Sequence, residues 1–486
     1  AGTERVRAVS DSCGILVALD ATSLAEKASE AAGAVLFDPD LGTLDAGSLR
    51  RHAAGVPLSS AGMKVEPCRW GMAAMGAVAR LAGLDPGILD AVLRDLRGSR
   101  DSGALAGDLM AAKAGFAAAG AAAPDAGARL PRSDRPLKVL SGPSALALGA
   151  MAAGCKFAAA GPGASRSWPW ASLAARAERH GVVLFQGSSD GSAAGAAVGA
   201  GLAGVRGLAL VSSAADAASA SGFAERAEIP IVVAVLGGSF PSWDPPAGPC
   251  RGVLVPSGPA DALDAALEAF NLAERFQAPV FLMLDNGVTG CSETVERMRL
   301  DVPVDRGVWA VAQDAGGPSG RAWAFDRHAG AVDGVSPRAV PGHEGLMFTA
   351  RAAAPSDKLA AKRGALGRGA AVPLLEGPSD AELTLVGAGP VCGTMRVVMM
   401  RFNSGGGRAV NLLPLRRLEP FPSDGALGPL KSARRILVAE PHPAGPLARL
   451  IREETGIAVE RRISWPEGGT LEERALSRAV EEALHG

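Results

Sequence analysis

Gly187-Ser-Ser-Asp-Gly191 sets a serine hydroxyl and a carboxylate between two glycines, directly ahead of an Ala/Gly-rich stretch of helical character. The spacing satisfies GxSxG, the pattern of a nucleophile elbow, which requires a strand before it and a helix after it. An apolar run at 182–185 supplies the strand. In that reading Ser189 is the nucleophile, Asp285 at a strand end is the acid, and His328 or His343 is the base, in the chain order Ser, Asp, His. No HGGG-type oxyanion loop accompanies the pattern, and three fixed positions recur easily in a chain with 63 glycines. The same residues have a plainer reading, in which Asp190 is the N-cap of the Ala/Gly-rich helix.

Other reactive side chains are dispersed. Six cysteines (Cys13, Cys68, Cys155, Cys250, Cys291, Cys392) stand singly, with no CxxC pair, so no zinc site or iron-sulfur cluster has its usual local ligand spacing. They read as reduced, mostly structural thiols. The six histidines form neither HExxH nor HxxxH, and no metal is expected. A formal net charge of −1 provides no field for polyanions, which argues against nucleic acid as a partner. No apolar run reaches the eighteen or so residues that span a bilayer, and the first residues lack the apolar core of a signal peptide, so a cytoplasmic protein is expected.

At 486 residues, with 48% apolar and 20% charged side chains, the chain reads as two to four globular domains, and three is the expectation. A short apolar run at 14–19, a helical stretch at 23–32 and a strand at 34–37 make a βαβ pattern. A helical pair follows over 70–96, broken by Gly83 and the Asp85-Pro86 start signal. A Pro- and charge-rich linker is placed at 123–138. Strands at 181–186, 207–212, 229–236 and 279–285 alternate with helices at 192–203 and 259–276, the pattern of a doubly wound parallel sheet. Residues 302–378 read as an interdomain excursion, too long for a simple connection. Strands at 383–387, 408–413 and 435–439 and helices at 444–454 and 471–484 form a last α/β domain.

Several stretches, in this order, resemble the fused gamma-alpha subunit of 2-oxoacid:ferredoxin oxidoreductases. Ser141-Gly-Pro-Ser-Ala-Leu-Ala-Leu-Gly-Ala-Met-Ala-Ala-Gly-Cys155 is similar to that family's GNEALALGAIAAGC, and ALEAFNLAERFQAPVFLMLD at 266–285 to its EAFNLAEKYQTPV. Asp333-Gly-Val-Ser-Pro-Arg-Ala-Val-Pro-Gly342 is close to DGVSPRAIPG, and Leu447-Ala-Arg-Leu-Ile-Arg-Glu-Glu-Thr-Gly456 to LARLIRAETG. The resemblance implies a partial gamma-type α/β domain over 1–122, a thiamine-diphosphate pyrimidine-type domain over 139–301 and a transketolase C-terminal-like domain over 379–486. The family's GxGGQG turn has no counterpart ahead of residue 14, which puts a coenzyme A role of the first domain in doubt.

The resemblance further implies thiamine diphosphate with Mg²⁺ at the interface with a beta-type subunit, a heterodimer or dimer of heterodimers, and electron transfer to ferredoxin or another carrier. The iron-sulfur cluster would lie in a partner and none in this chain. The alpha chain would supply substrate contacts and the acid facing the aminopyrimidine, whose proton sharing activates the cofactor. That acid, a glutamate in the family, falls at Asp190, one methylene shorter. The substrate loop YPITPS falls on Gly161-Pro-Gly-Ala-Ser-Arg166, keeping Pro162 but losing the tyrosine to Gly161 and the threonine to Ala164, with Arg166 and Arg338 left as charged substrate contacts, although Arg166 also reads as an ordinary exposed loop arginine. The TSGPG turn appears as Ser212-Ser-Ala-Ala-Asp216, making Ser212 a cofactor contact, and QRAGPSTG as residues 237–242 without its arginine. Cofactor-facing loops have thus changed together while the scaffold segments persist. Three readings follow: an alpha-type subunit with decayed catalytic motifs, a non-catalytic scaffold of an electron-transfer assembly, and the GxSxG hydrolase.

Overall fold

The computed structural model describes residues 13–28, 31–41, 53–59, 69–97, 102–122, 137–237, 248, 250–307, 356–369, 371–404, 408–466 and 469–485. The chain divides into two compact units, 1–135 and 136–486.

In the first unit, β1 (Cys13–Ala18), β2 (Ala31–Phe37) and β3 (Ala53–Gly55) form a parallel sheet in that order. The helix expected over 23–32 is shorter and starts earlier: α1 spans Ala21–Lys27, because Asp20 caps it by accepting from the Ser23 N–H at 2.7 Å. Ala31–Gly33 belong instead to β2. Helices α2 (Trp70–Leu81) and α3 (Pro86–Arg97) are divided at the Asp85-Pro86 step, where the Asp85 carboxylate accepts from the Gly87 N–H at 2.7 Å. The 21-residue α4 (Ser102–Ala122) packs against α2 at backbone contact. A methyl group on Gly76 would overlap the Ala112 carbonyl, and one on Gly115 the Ala73 carbonyl, so both positions require glycine.

The second unit contains a sheet of seven strands: β5 (Phe157–Ala160), β6 (Val183–Gln186), β7 (Gly207–Val211), β8 (Ile231–Leu236), β9 (Gly252–Leu254), β10 (Pro279–Leu284) and β14 (Arg417–Glu419). Their order is β14-β9-β10-β8-β7-β5-β6, all parallel except β14. The chain passes from β5 outward to β6 and then crosses to β7 on the other side of β5. The β5/β7 boundary is therefore the topological switch point, where loops leave the strand ends in opposite directions and open a crevice.

One face of the sheet is covered by α5 (Gly142–Ala152), α6 (Trp168–His180) and α9 (Pro259–Phe276), with Leu146, Trp170, Leu173, Leu263 and Phe270 in the core. A two-stranded antiparallel pair, β4 (Lys138–Ser141) and β11 (Ser292–Val295), ties the start of this region to its end. The other face carries α7 (Asp190–Leu202) and α8 (Ala218–Arg226) and shares a core with a second sheet. That sheet, of β12 (Leu383–Ala388), β13 (Val410–Leu415), β15 (Ile436–Glu440) and β16 (Arg461–Ser464), is parallel in the order β13-β12-β15-β16. Val211, Val233 and Phe281 of the first sheet pack in one cluster with Leu413, Val438 and Ile451. β14 completes the junction by pairing with β9, reinforced by the Arg251–Glu419 ion pair at 2.9 Å.

Helix α11 (Ser356–Gly369) docks here through a buried triad. Glu228, held at φ 56° after the C-terminus of α8, receives the ammonium of Lys358 at 2.7 Å and also that of Lys362. Burial pulls the Lys362 ammonium below the ordinary lysine range. At the other end of α11, the Arg417 guanidinium donates to the Leu366 and Gly367 carbonyls at 3.2 and 2.7 Å. Removing the one carboxylate that both lysines share strands buried charge, which costs about 3–5 kcal/mol. Glu228→Gln is therefore expected to lower the urea midpoint sharply, and adding Lys362→Met to recover part of the loss. A Glu228→Gln midpoint within error of the parent would remove the triad as the anchor of α11.

Candidate functional site

Three loops meet at the switch point. After β5, residues 161–167 turn through a short 3₁₀ segment, Ala164–Arg166, into α6, whose N-cap Ser167 accepts from the Trp170 N–H at 3.4 Å. After β6, Gly187 and Ser188 lead to α7. After β7, residues 212–217 lead to α8. Sheet-like bonds continue past the strand ends, with the Gly161 N–H donating to the Leu210 carbonyl at 3.0 Å and the Gly187 N–H to the Ala160 carbonyl at 2.9 Å. Parallel strands leave N–H groups at these ends that must find acceptors beyond the ladder.

Asp190 supplies the acceptor. It is the first residue of α7, not its N-cap as the plain reading of the sequence suggests: the cap is Ser189. Ser189 and Ser192 form a reciprocal capping box, each backbone N–H donating to the other's hydroxyl at 3.0 Å. The Asp190 carboxylate is thereby released from capping and turns toward β7. Its Oδ2 accepts from the backbone N–H groups of Ser212 at 2.7 Å and Ser213 at 2.9 Å. The side chain is only 8% exposed. Its charge sits in the first turn of α7, on the favourable side of the helix dipole. The other oxygen, Oδ1, lies where a Cβ on Gly161 would be, and the Asp190 Cα is 3.0 Å from that same point. Gly163 stands in the same relation to the Ser212 hydroxyl.

The structure thus brings Asp190, Ser212 and the loop of Pro162 and Arg166 together. Pro162 and Arg166 are exposed on the rim, and the Pro162 carbonyl accepts from the Ser165 hydroxyl at 3.0 Å. Arg338 lies outside the described residues, as do the whole 333–342 stretch and most of the 237–242 loop. Two features were missed in the sequence: the second amide, from Ser213, and the dependence of the Asp190 position on Gly161. The signal available was a coincidence of changes, in which a shortened acid accompanies a glycine where the resemblance puts a tyrosine.

For the part that the resemblance assigns to it, Asp190 would have to present a carboxyl oxygen to the ring nitrogen of an aminopyrimidine. One oxygen is taken up by two backbone amides; the other, resting against Gly161, accepts no hydrogen bond among the described residues and is the one that could meet such a ring. In the first unit, Asp20 and Asp38 follow the ends of β1 and β2. Asp38 is buried, which opposes ionisation, yet hydrogen bonds from Ser59 and the Asp40 N–H hold it below the usual carboxylate range.

Of the hydrolase residues, the two that are described each serve as a helix cap. The Ser189 hydroxyl is committed to the capping box, and Asp285 caps the short α10 (Asn286–Thr289), accepting from the Gly287 N–H at 2.6 Å. Burial raises the Asp285 carboxyl above its ordinary range, with the Gly287 bond opposing. His328 and His343 lie outside the described residues. Among the described residues no group of three or more His, Cys, Asp or Glu side chains could hold a metal ion, and no helix is long and apolar enough to cross a membrane. Cys155, Cys250 and Cys392 are buried free thiols, each pushed up to about 12 by burial.

No protein-family profile matches the chain. It is 25% identical, over 62% of its length, to 2-oxoacid:ferredoxin oxidoreductase 2 subunit alpha of Aeropyrum pernix, covering 52% of that protein. It is 29% identical over 32% of its length to the 2-oxoglutarate synthase subunit KorA of Methanothermobacter thermautotrophicus, covering 46% of it. The chain thus spans about half the length of the curated relatives it matches. Its fold matches the 2-oxoglutarate:ferredoxin oxidoreductase of Magnetococcus marinus, solved with 2-oxoglutarate, coenzyme A and succinyl-CoA, at a TM-score of 0.84 and 21% identity, over 99% of this chain and 90% of that one. These comparisons return the family that the motifs resemble, together with its mixed α/β architecture of parallel sheets.

Losing a serine N-cap costs about 1 kcal/mol. Ser189→Ala is accordingly expected to lower stability by about that amount in urea unfolding while leaving any ester hydrolysis by the preparation unchanged. Loss of such hydrolysis on substitution would reinstate Ser189 as a nucleophile.

Proposed function

We propose that this chain is an alpha-type subunit of a 2-oxoacid:acceptor oxidoreductase complex, in which a 2-oxoacid is oxidatively decarboxylated to an acyl-CoA only together with a beta-type partner. Its own share is assembly and closure of the switch-point crevice, with the catalytic motifs of the chain decayed. The observation that carries this reading is the Asp190 carboxylate, which stands where the resemblance requires an acid but is bound into the fold by the Ser212 and Ser213 amides. Motif by motif, the groups that would meet substrate have gone from the 161–166 loop while the core strands remain.

Thiamine diphosphate, with Mg²⁺, would supply the carbanion chemistry of such a complex, and the diphosphate and metal would be held on the beta-type chain. An iron-sulfur cluster and the contact with ferredoxin or another carrier would belong to a partner too, in keeping with the scattered cysteines. A heteromeric state is supported by the surface of the sheet edge. β6 is an edge strand whose Val183 is 62% and Phe185 43% exposed, and Trp168 at the start of α6 is 78% exposed. Large apolar side chains left bare at a sheet edge are a liability that a partner chain relieves.

Affinity purification of the tagged full-length chain from its native source tests the proposal. The expected result is a stable complex with a chain carrying a diphosphate-binding GDG…N motif and CxxC clusters, and 2-oxoacid- and coenzyme A-dependent dye reduction that tracks that chain. A monodisperse monomer, or a complex whose partner lacks those motifs, would overturn it, the second outcome favouring the pure scaffold.

A further inference from the structure

We infer that Asp190, Gly161 and the Ser212-Ser213 turn form one coupled unit, a clasp across the switch-point crevice in which the seat of the acid depends on glycine at 161. The inference deepens the proposed function but stands on geometry of its own.

At Asp190, Oδ2 already accepts two backbone N–H groups at 2.7 and 2.9 Å, and the residue is 8% exposed. Oδ1 fills the space that any side chain at 161 would need, with the Asp190 backbone 3.0 Å from the same point. The carboxylate has thus moved into a vacancy that only glycine leaves. Shortening the acid by one methylene and removing the side chain at 161 are two halves of one structural change. Neither is neutral alone: a side chain at 161 would expel the carboxylate, and expulsion would leave two amides at the end of β7 without their acceptor.

The clasp spans three connections of the sheet. It starts from the helix that follows β6, rests against the residue that follows β5 and binds the two residues that follow β7. The crevice that doubly wound sheets open to ligands is in this chain drawn together by its own carboxylate. The Ser212 hydroxyl pressed against Gly163 narrows the same opening.

Two measurements on the full chain test the clasp. In a double-mutant cycle followed by thermal unfolding, Gly161→Ala is expected to lower the midpoint by several degrees in the parent. In an Asp190→Ala background it should lower it by less than half as much, the residue of the effect coming from the Asp190 backbone. Additive effects would overturn the coupling. Hydrogen exchange covers the case in which Gly161→Ala fails to fold. The Ser212 and Ser213 amides should exchange at least about tenfold faster in Asp190→Ala than in the parent, and at the parent rate in Asp190→Asn, whose carbonyl keeps the acceptor. Exchange unmoved by Asp190→Ala would overturn the clasp. Neither arm needs a partner, so failure to find a complex would count against the proposed function and leave the clasp to be judged separately.

Discussion

At a topological switch point, neighbouring parallel strands send their chains to opposite faces of the sheet, and the backbone N–H groups just beyond the strand ends lose the partners that the ladder would give them. In this protein the burden falls on Ser212 and Ser213, at the end of a strand buried along its whole length. The carboxylate of Asp190 answers it with two hydrogen bonds. Placement of α7, the course of the 161–167 loop and the packing of both faces follow from where that helix begins. Its start is fixed in turn by the Ser189–Ser192 capping box, which frees the acid from the role a first-turn residue often takes. The carboxylate of Asp190 is in this way part of the fold.

Much of the architecture was legible because its signals are local. The helix over 259–276 and the strand that follows it are framed by a proline start, an apolar stripe and a dense aliphatic run, and the structure gives the same bounds for the helix. The division at Asp85-Pro86 was legible for the same reason. α4 was not, because a 21-residue helix of mostly alanine and glycine lacks the polar-apolar alternation that marks a face. Neither was α13 (Ser423–Ser432), which carries Pro429 within it. β14 is three residues long and exists only because a strand edge more than 160 positions earlier receives it. The site divides along the same line. Motif order pointed to Asp190 and its loops, whereas the acceptance of two amides and the need for glycine at 161 are tertiary facts that leave no period or spacing in the sequence.

The two sheets of the second unit are joined by more than contact. Valines and phenylalanine from one sheet and leucine and valine from the other, with Ile451 of the helix Pro446–Thr455, lie in a single apolar cluster, so neither sheet buries that face alone. Arg416 reaches Asp261 at 3.2 Å and also pairs with Glu268 on α9, and Arg417 holds the end of α11. These polar ties sit around the β9–β14 seam and fix its register, while the apolar cluster supplies the bulk of the association.

That seam sets the order in which the protein can be made. β9 leaves the ribosome well before β14, the partners Arg251 and Glu419 being 168 positions apart. At about 5–20 residues per second, the open hydrogen-bonding edge of β9 waits roughly 10–30 s for its last strand. Through that interval the nascent sheet carries an unpaired edge and an uncovered apolar face, the state in which chains most readily pair with the wrong neighbour. Biogenesis of this chain is thus most exposed to misassembly between the completion of its first large sheet and the arrival of the segment that closes it.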